Sequence, residues 1–492
     1  MVATVFLTLF TVDARTIYVN NQVGKDSFDG SLAAPGEDGA QGPLKSLRAA
    51  FEKVQESGRI EIHNTGIPYE GGAVLSRVGG TPGSPLVIEG NGATLSGLRV
   101  VPEKKWTQVS ERIYRSDFYP MSNRLKGHKD YPFWVEKPQV WWVNGEKGQN
   151  VRSMEDLEKT PGSFYWNKSE KAVFFHLPEG KIWGELQIML PIGSSGLNLR
   201  DRADYVVVQN LRSMHSMNDG FSAHGNLRNI VFQNCYATDN CGQGFSMHGT
   251  VRALVLNSYA ARNASSGSCD VNQCQVTYIG TIFEDNSFEA GVYSTEETVT
   301  MYENCLILGN QPFEQIWQVG QGRMLFFNSI IANRDTGRAS ALISDGRVVL
   351  MQCTVVSGGP LAIFDGRKQG ILRLDHTLVA AVGGEVFGKD QNALQQIEFL
   401  HTILPADASI IQGEGGLQGE TLTRDIPGIR LETISLEGRE NLEIPAAAKL
   451  EKAGERYKRP TPIGATLPED LWKRLEEGRK NYAAPEQVVV PQ

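Results

Sequence analysis

The motif Gly-Phe-Ser-Ala-His at 220–224 returns as Gly-Phe-Ser-Met-His at 244–248, so that each residue of the motif is repeated 24 positions later. A second motif repeats at about the same interval: Val-Val-Val-Gln-Asn at 206–210, Ile-Val-Phe-Gln-Asn at 230–234 and Ala-Leu-Val-Leu-Asn at 253–257. A fixed period of this length, read as short segments separated by turn residues, indicates a solenoid whose coils bury their inner faces against one another.

Apolar and polar residues alternate within each repeat, which is typical of half-buried strands, because a helix would need 3.6-residue spacing. Carried forward in steps of 24, the alternation predicts two inward columns of side chains. The first column is Phe221, Phe245, Cys269, Tyr293, Trp317 and Ala341, and the second is Ala223, Met247, Val271, Thr295, Val319 and Ile343. A turn residue also recurs, at successive spacings of 23, 23 and 24: Asn240, Asn263, Asn286 and Asn310.

This pattern resembles the right-handed parallel β-helix of the pectin-lyase-like superfamily. The resemblance, together with the usual handedness of parallel crossovers, implies right-handed coils. We therefore predict an all-β fold: a right-handed parallel β-helix solenoid with an N-terminal capping helix, a β-rich insertion and a C-terminal capping tail.

The presence or absence of the 24-residue repeat, together with local composition, divides the chain into five segments. Residues 1–14 read as a signal peptide with a truncated start, because an apolar run precedes a small-residue cleavage site but no basic residues precede the run; a buried first strand is the alternative. Residues 15–100 form an N-terminal cap and first coil, 101–191 an aromatic-rich β insertion, 192–415 the main β-helix and 416–492 the capping tail. We expect the protein to be secreted or periplasmic.

Six of the eight tryptophans lie in the insertion, at positions 106, 134, 141, 142, 166 and 183. Trp-Val-Asn-Gly at 142–145, Gly-Ser-Phe-Tyr-Trp at 162–166 and Phe-Phe-His-Leu-Pro at 174–178 resemble the insertion of some β-helix glycoside hydrolases, including families that contain bacterial β-xylosidases. These tryptophans either form the core of the insertion or, at Trp134 and Trp166, provide a wall on which sugars stack.

Composition excludes several other classes of protein. The net charge of −8 and the pI near 5.7 argue against a nucleic-acid or anionic-membrane partner. No other stretch is long and apolar enough to cross a membrane. Cys235, Cys305 and Cys353 are predicted to be small buried residues. Cys241, Cys269 and Cys274 allow one disulfide in an oxidising compartment, and a zinc site with His248 is the weaker alternative because no pair has the usual CxxC spacing.

Residues between the inward columns must point outward. We predict two outward columns, one of Ser222, Ser246, Asp270, Ser294 and Gln318, the other of His224, His248, Asn272, Glu296 and Gly320. A third, less regular column begins with Asp219 and Gln243. The candidate catalytic residues in this polar strip are Asp270, Glu296, His248, His224 and Asp219, with Glu289 and Glu314 as substitutes. The candidate substrate-binding residues are Arg262, Gln243, Asn272, Gln318, Trp134 and Trp166.

Asp270 and Glu296 differ by one coil and two residues, which places their Cα atoms about 8 Å apart. Carboxylates about 5 to 9.5 Å apart suit glycoside hydrolysis, in which one protonates the leaving oxygen and the other attacks or activates water. His224 and His248 would stack in adjacent coils, as bases, metal ligands or a surface ladder.

The resemblance and this strip together lead us to expect a secreted polysaccharide-active β-helix enzyme, with a glycoside hydrolase as the first hypothesis and two alternatives. A glycoside hydrolase acting on a polysaccharide or oligosaccharide requires no cofactor. A polysaccharide lyase would need a base and a cation such as Ca²⁺ or an arginine, for which Arg262 with Asp219 and Asp270 is the candidate set. A non-catalytic solenoid that binds glycans or partners through the same strip is the third hypothesis.

Overall fold

The computed structural model describes residues 15–117, 142–143, 146–167, 169–170, 172–191, 194–287, 290–310, 314–333, 339–357, 359–364, 370–381, 397–404, 418–423, 465 and 467–481. Each coil contributes three strands, and strands at the same place in successive coils pair in parallel. The predicted fold class, a parallel β-helix solenoid, is confirmed. The core is a continuous apolar column inside the coils.

We name the three faces of the solenoid by their strands. Face 1 consists of Thr16–Val19, Arg59–Ile62, Leu86–Glu89, Val206–Gln209, Ile230–Gln233, Arg252–Leu256, Gln275–Ile279, Val299–Glu303, Arg323–Phe327, Arg347–Met351, Ile371–Asp375, Ile397–Leu404 and Gln418–Thr423. Face 2 consists of Tyr69–Glu70, Thr94–Ser96, Arg212–Met214, Tyr236–Thr238, Tyr259–Ala261, Ile282–Glu284, Leu306–Leu308, Ile330–Asn333, Thr354–Ser357 and Leu378–Ala381. Face 3 consists of Ala73–Ser76, Leu197–Arg200, Phe221–Gly225, Phe245–Gly249, Ser268–Asp270, Val292–Thr295, Ile316–Val319, Ala341–Ile343 and Ala362–Phe364.

The N-terminal helix Leu47–Lys53 begins at the cap Ser46, whose side chain accepts a hydrogen bond from the backbone N–H of Ala49. Leu47, Ala50 and Phe51 join the main core, as expected for a helix that covers the first coils.

The insertion leaves the solenoid after face 2 and forms two small sheets. One consists of Leu98–Val100, Trp142–Val143, Glu146–Lys147 and Ile188–Pro191, and the other of Thr107–Gln108, Ile113–Ser116, Gln149–Asn150, Ser163–Asn167 and Ala172–His176. A 3₁₀ turn at Glu103–Lys105 and a short helix at Met154–Lys159 complete it. Its own apolar core packs against Met217 of the solenoid.

The C-terminal helix Glu469–Asn481 lies along the outside of face 2. Leu471 and Leu475 are buried against apolar side chains from several coils, including Tyr259 and Leu306. Arg479 donates hydrogen bonds to buried Glu284, which also accepts one from the Tyr259 hydroxyl at 2.8 Å. The helix therefore covers a side of the solenoid across several coils.

The register of face 3 departs from a constant period. Phe245 pairs with Ser268, a step one residue shorter than the period of the motif, and Ile316 pairs with Ala341, a step one residue longer. Because strand side chains alternate, a shift of one residue exchanges the two sides of every face-3 strand between these points. The predicted columns are therefore correct at Phe221, Phe245, Ala223, Met247, Ala341 and Ile343, and wrong for Cys269, Tyr293, Trp317, Val271, Thr295 and Val319.

The asparagine ladder runs inside the turn between faces 2 and 3. The side chain of Asn263 accepts hydrogen bonds from the backbone and side-chain N–H groups of Asn240 and donates to the Oδ1 atom of Asn286 and the carbonyl of Ala237. Asn310 closes the ladder on Gln315. These fully buried bonds fix the turn beside which the candidate site lies.

All six cysteines are buried thiols, so the disulfide considered among Cys241, Cys269 and Cys274 is not formed. Cys241 packs against Leu98 and Met189 of the insertion, and Cys269 points outward on face 3. In the part of the chain that the structure describes, no helix has the length and apolar character needed to cross a bilayer.

Candidate functional site

The outer surface of face 3 carries a column of side chains that changes character along the solenoid. We call it the face-3 column; it runs through Asn198, Ser222, Ser246, Cys269, Tyr293 and Trp317. It begins with small polar groups and ends with two aromatic rings. The turn between faces 2 and 3 lies along one margin of this column, and the turn between faces 3 and 1 lies along the other.

The polar end of the column and the adjoining turn between faces 2 and 3 contain buried atoms that have no hydrogen-bond partner among the described residues. They are Asn198 Oδ1, Ser222 Oγ, Ser216 Oγ and Asn218 Oδ1. Buried polar groups are normally satisfied, so such a group of atoms in neighbouring coils calls for an explanation. A ligand rich in hydroxyl groups would supply both donors and acceptors to these atoms.

The aromatic end of the column is a pair of half-buried rings. Tyr293 and Trp317 lie in adjacent coils with ring centroids 5.2 Å apart and an interplanar angle of 62°. The indole Nε1–H of Trp317 has no partner in the described part of the chain. We predicted both rings to be inside the solenoid, and they point outward because of the short step after Phe245. The asparagine spacing of 23, visible in the sequence, was the signal that could have located this step.

The two histidines stack as predicted. The imidazole rings of His224 and His248 are 4.5 Å apart and nearly parallel, and His248 Nε2 lies 2.8 Å from Ser246 Oγ. Burial, with smaller contributions from the charges of His248 and Arg200, lowers the pKa of His224 to about 4. Burial also lowers the pKa of His248, against the opposing charge of Glu296. Both rings are therefore neutral at pH 7 and able to accept a proton.

The turns between faces 2 and 3 contribute carboxylates. Asp219 is 1% exposed and accepts hydrogen bonds from the Asn218 side chain at 3.0 Å and the Gln243 backbone at 3.3 Å. In the next coil, buried Asp239 accepts two hydrogen bonds from the guanidinium of Arg262, at 2.7 and 3.0 Å. The structure thus brings two aspartates into the same turn of adjacent coils, in different environments.

Two further members of the predicted strip, Gln243 and Glu314, lie on these margins. Gln243 follows Asp219 in the same ladder and contacts Ser265 Oγ at 3.4 Å. Glu314 occupies the equivalent position further along, four coil steps or about 19 Å from Asp219, which is too far for the two to act as a pair. Glu289 lies outside the described residues.

Asp270 and Gln318 point into the solenoid, contrary to the prediction. Asp270 is fully buried and accepts hydrogen bonds from the hydroxyls of Tyr278 at 3.1 Å and Thr300 at 3.3 Å. Gln318 is likewise buried and donates to the Gly320 carbonyl at 2.6 Å. Ser294, predicted in the same outward column, is buried beside Thr298. The short step after Phe245 is the cause, because it moves this column to the inner side.

Glu296 and Asn272 lie in the turn between faces 3 and 1, where Asn272 Nδ2 donates to Glu296 Oε2 at 2.9 Å. They line an open groove of about 460 Å³ beside Gln273 and Glu297, next to one of about 620 Å³. Asp270 is separated from this groove by the wall of the solenoid. The predicted pair of Asp270 and Glu296 therefore does not share a surface.

Trp166 is 7% exposed within the core of the insertion, so its predicted role as a sugar-stacking wall is wrong. Trp134 lies outside the described residues. The insertion nevertheless borders the site, because Met217 packs against its core and Cys241 packs between Leu98 and Met189. It forms a wall beside the turns that hold Asp219 and Asp239.

No protein-family model matches this sequence, and no curated protein matches it. Among solved structures, the complex of XylC with xylose is similar over 84% of this chain and 86% of its own, with a TM-score of 0.55 and 10% identity. Two further structures are more distant. A glycoside hydrolase is similar over 83% of this chain and 95% of its own, with a TM-score of 0.45 and 10% identity. Pectate lyase Pel9A is similar over 78% of this chain and 80% of its own, with a TM-score of 0.43 and 14% identity. These observations define a parallel β-helix protein.

Proposed function

We propose that this protein is a carbohydrate-active enzyme, most simply a glycoside hydrolase, that binds an extended saccharide along the face-3 column. The observation that carries the proposal is the sequence of groups in that column: unsatisfied buried polar atoms at one end and the outward rings of Tyr293 and Trp317 at the other. Coils rise about 4.8 Å each, so each coil is in register with roughly one sugar unit of an extended chain. The likeness to the structure of XylC with xylose supports the fold on which this surface is built.

Hydrolysis needs two carboxyl groups in different roles, and the two aspartates have different surroundings. Asp239 accepts two hydrogen bonds from the cationic guanidinium of Arg262, so we assign it the role of nucleophile or of base toward water. Asp219 is more deeply buried, at 1% exposed against 8% for Asp239, so we assign it the role of proton donor to the leaving glycosidic oxygen. The C–O bond to the anomeric carbon breaks, and water supplies the hydroxyl of the new reducing end.

The first prediction concerns Asp219. We expect Asp219→Asn to lower kcat by about 10²- to 10⁴-fold on any glycan that the wild type cleaves, because the amide cannot donate the proton in the same way. Reducing-end release from a panel of xylans, pectins and aryl glycosides measures this. Asp285→Asn is the matched control, since Asp285 occupies the turn position of Asp239 two coils further on and is exposed. Full activity of Asp219→Asn would contradict the assignment.

The second prediction concerns the aromatic end of the column. We expect Trp317→Ala to weaken saccharide binding by about tenfold, or ~1.4 kcal/mol, because the indole offers a flat apolar face to a sugar ring. Isothermal titration with xylo- and galacturono-oligosaccharides on the full chain gives the dissociation constants. Ile182→Ala removes an exposed apolar side chain elsewhere and should leave binding unchanged. An unaltered dissociation constant in Trp317→Ala would show that the indole ring does not contact the saccharide.

A polysaccharide lyase is the second candidate. The stacked, neutral His224 and His248 favour it, because either could accept the proton α to a uronate carboxylate, while Arg200 lies close enough to act on the charge of His224. Within the described residues no three acidic, imidazole or thiol groups come together, so the Ca²⁺ proposed for a lyase has no matching site there. Unsaturated products that absorb in the ultraviolet would identify a lyase.

A solenoid that only binds glycans is the remaining candidate. It predicts that Trp317→Ala changes binding while no glycan in the panel is cleaved. Export to the periplasm or the cell exterior, predicted from residues 1–14, is part of the proposal, because that is where such polysaccharides occur.

A further inference from the structure

The outer surface of face 1 is unusually apolar for a solvent-facing sheet. Its middle column consists of Val87, Val207, Val231, Leu254, Thr277, Met301, Leu325 and Val349. The column on its C-terminal side consists of Gln233, Leu256, Ile279, Glu303, Phe327 and Met351. A sheet with one face in water would normally alternate apolar-in with polar-out, so this second apolar side indicates contact with another surface.

Face 2 also has outward apolar side chains, and there another element of the chain covers them. Its outward apolar side chains are covered by the C-terminal helix through Leu471 and Leu475. On face 1, no element of the described chain packs over the equivalent columns, and Val299 and Phe327 are 40% and 37% exposed. Face 1 is therefore the apolar side that remains open in the described part of the molecule.

The dimensions of this surface fit an interface between two proteins. From Val207 to Val349 it spans six coil steps, or about 29 Å, and a five-residue strand gives a width of about 16 Å. Two such surfaces treated as flat rectangles bury roughly 900 Å² together, and interdigitated side chains increase this value, against the ~1,000 Å² of a specific interface. The area predicts a reversible complex of moderate affinity.

The charges at the margins select a second copy of this chain as the partner. Arg252, Arg323 and Arg347 line the N-terminal side of the column, and Glu303 lies on the other side. Among the described residues none of these four forms an ion pair. The surface thus carries arginines on one margin and a carboxylate on the opposite one, which is a self-complementary pattern.

We propose that face 1 is the interface of a homodimer with a two-fold axis parallel to the solenoid axis. This axis sets the arginine margin of one copy against the Glu303 margin of the other, so that Arg323, one coil from Glu303, reaches it across the interface, twice by symmetry. A two-fold axis parallel to the strands would instead oppose the arginine column to itself. In the proposed arrangement the solenoids lie side by side, and face 3 of each copy stays outside the interface.

Sedimentation velocity on the full chain, from about 1 µM to about 100 µM, tests the proposal, because moderate affinity makes the dimer concentration-dependent in this range. We expect the wild type to shift from monomer to dimer. Leu325→Glu should weaken the dimer by at least about 30-fold, because it leaves a charge buried without a partner. Ile182→Glu, at an exposed apolar site of the insertion, should not change it.

A charge exchange tests the orientation without touching the apolar contacts. Arg323→Glu and Glu303→Arg should each weaken the dimer by about tenfold, and the double variant should restore it. A wild type that is monomeric throughout would overturn the proposal and assign face 1 to a different protein. A dimer that Leu325→Glu leaves unchanged, or a double variant that is no better than the single ones, would also overturn it.

Discussion

Asp270→Asn is expected to raise the melting temperature at pH 8 by several degrees and to leave it nearly unchanged at pH 4. Asp270 lies inside the solenoid, where burial raises its pKa to about 8, although hydrogen bonds from Tyr278 and Thr300 oppose the shift. The unfolded chain releases this proton near its ordinary pKa of 3.8. Asparagine has the same shape, remains neutral and can still bond to both hydroxyls.

The sign of the effect follows from the two pKa values. Below pH 3.8 the carboxyl is protonated in both states, so Asp270 does not make stability depend on pH there. Between 3.8 and about 8 only the folded state keeps the proton, so wild-type stability falls as pH rises, by up to ~1.4 kcal/mol per pH unit. Above pH 8 both states are ionised and the decline stops.

Chemical denaturation at intervals from pH 4 to pH 9 measures the slope. Glu158→Gln removes an exposed carboxylate from the insertion and provides the control. If the wild type and Asp270→Asn lose stability in parallel across this range, Asp270 is ionised in the folded protein and the argument fails.

Asn263→Leu is expected to reduce the free energy of unfolding by about 3 to 5 kcal/mol. The side chain of Asn263 is fully buried and joins the coils on both sides, as acceptor from Asn240 and donor to Asn286. Leucine has a similar size but leaves the backbone N–H of Asn240 and the carbonyl of Ala237 without this partner. The loss is therefore chiefly that of unsatisfied buried polar groups.

Urea denaturation followed by far-ultraviolet circular dichroism gives the free energy. Asn226→Ala serves as control, since Asn226 is exposed and, among the described residues, its side chain bonds only to the Thr250 hydroxyl at 3.0 Å; its cost should stay within about 0.5 kcal/mol. A loss below about 1 kcal/mol in Asn263→Leu would mean that the ladder does not hold the turn between faces 2 and 3.

The fold could be predicted from the sequence because its signal is repeated in every coil. A single alternating segment is a weak indication of a strand, and a single pair of similar motifs is a weak indication of a repeat. The indication becomes strong when both recur together, as at 220–224 and 244–248. The stacking of His224 on His248 was predicted correctly because both precede the irregular coil. Where the period is constant, side chains one coil apart always point the same way.

The site was predicted less well, because the period is not constant where most of the candidate residues lie. Side-chain direction depends on register modulo two, so the short step after Phe245 reversed the expectation for Asp270 and for Trp317 together. The roles of Asp219, Gln243, Arg262 and the histidines stay predictions. Whether a buried atom such as Ser222 Oγ finds a hydrogen-bond partner among the described residues depends on its three-dimensional surroundings, which the sequence pattern does not predict.

On face 3, the step that is one residue short and the later step that is one residue long compensate each other, so that the normal register returns after the second. The face-3 strands between Ser268 and Val319 are therefore reversed relative to a constant period, so that on this face expected core residues become surface residues and the reverse. A one-residue change in the length of the turn before a strand, compensated in the turn after it, can thus present the opposite set of side chains on one face without a substitution in the strand itself. Tyr293 and Trp317, which a constant period would place in the core, are in this way presented to solvent in adjacent coils.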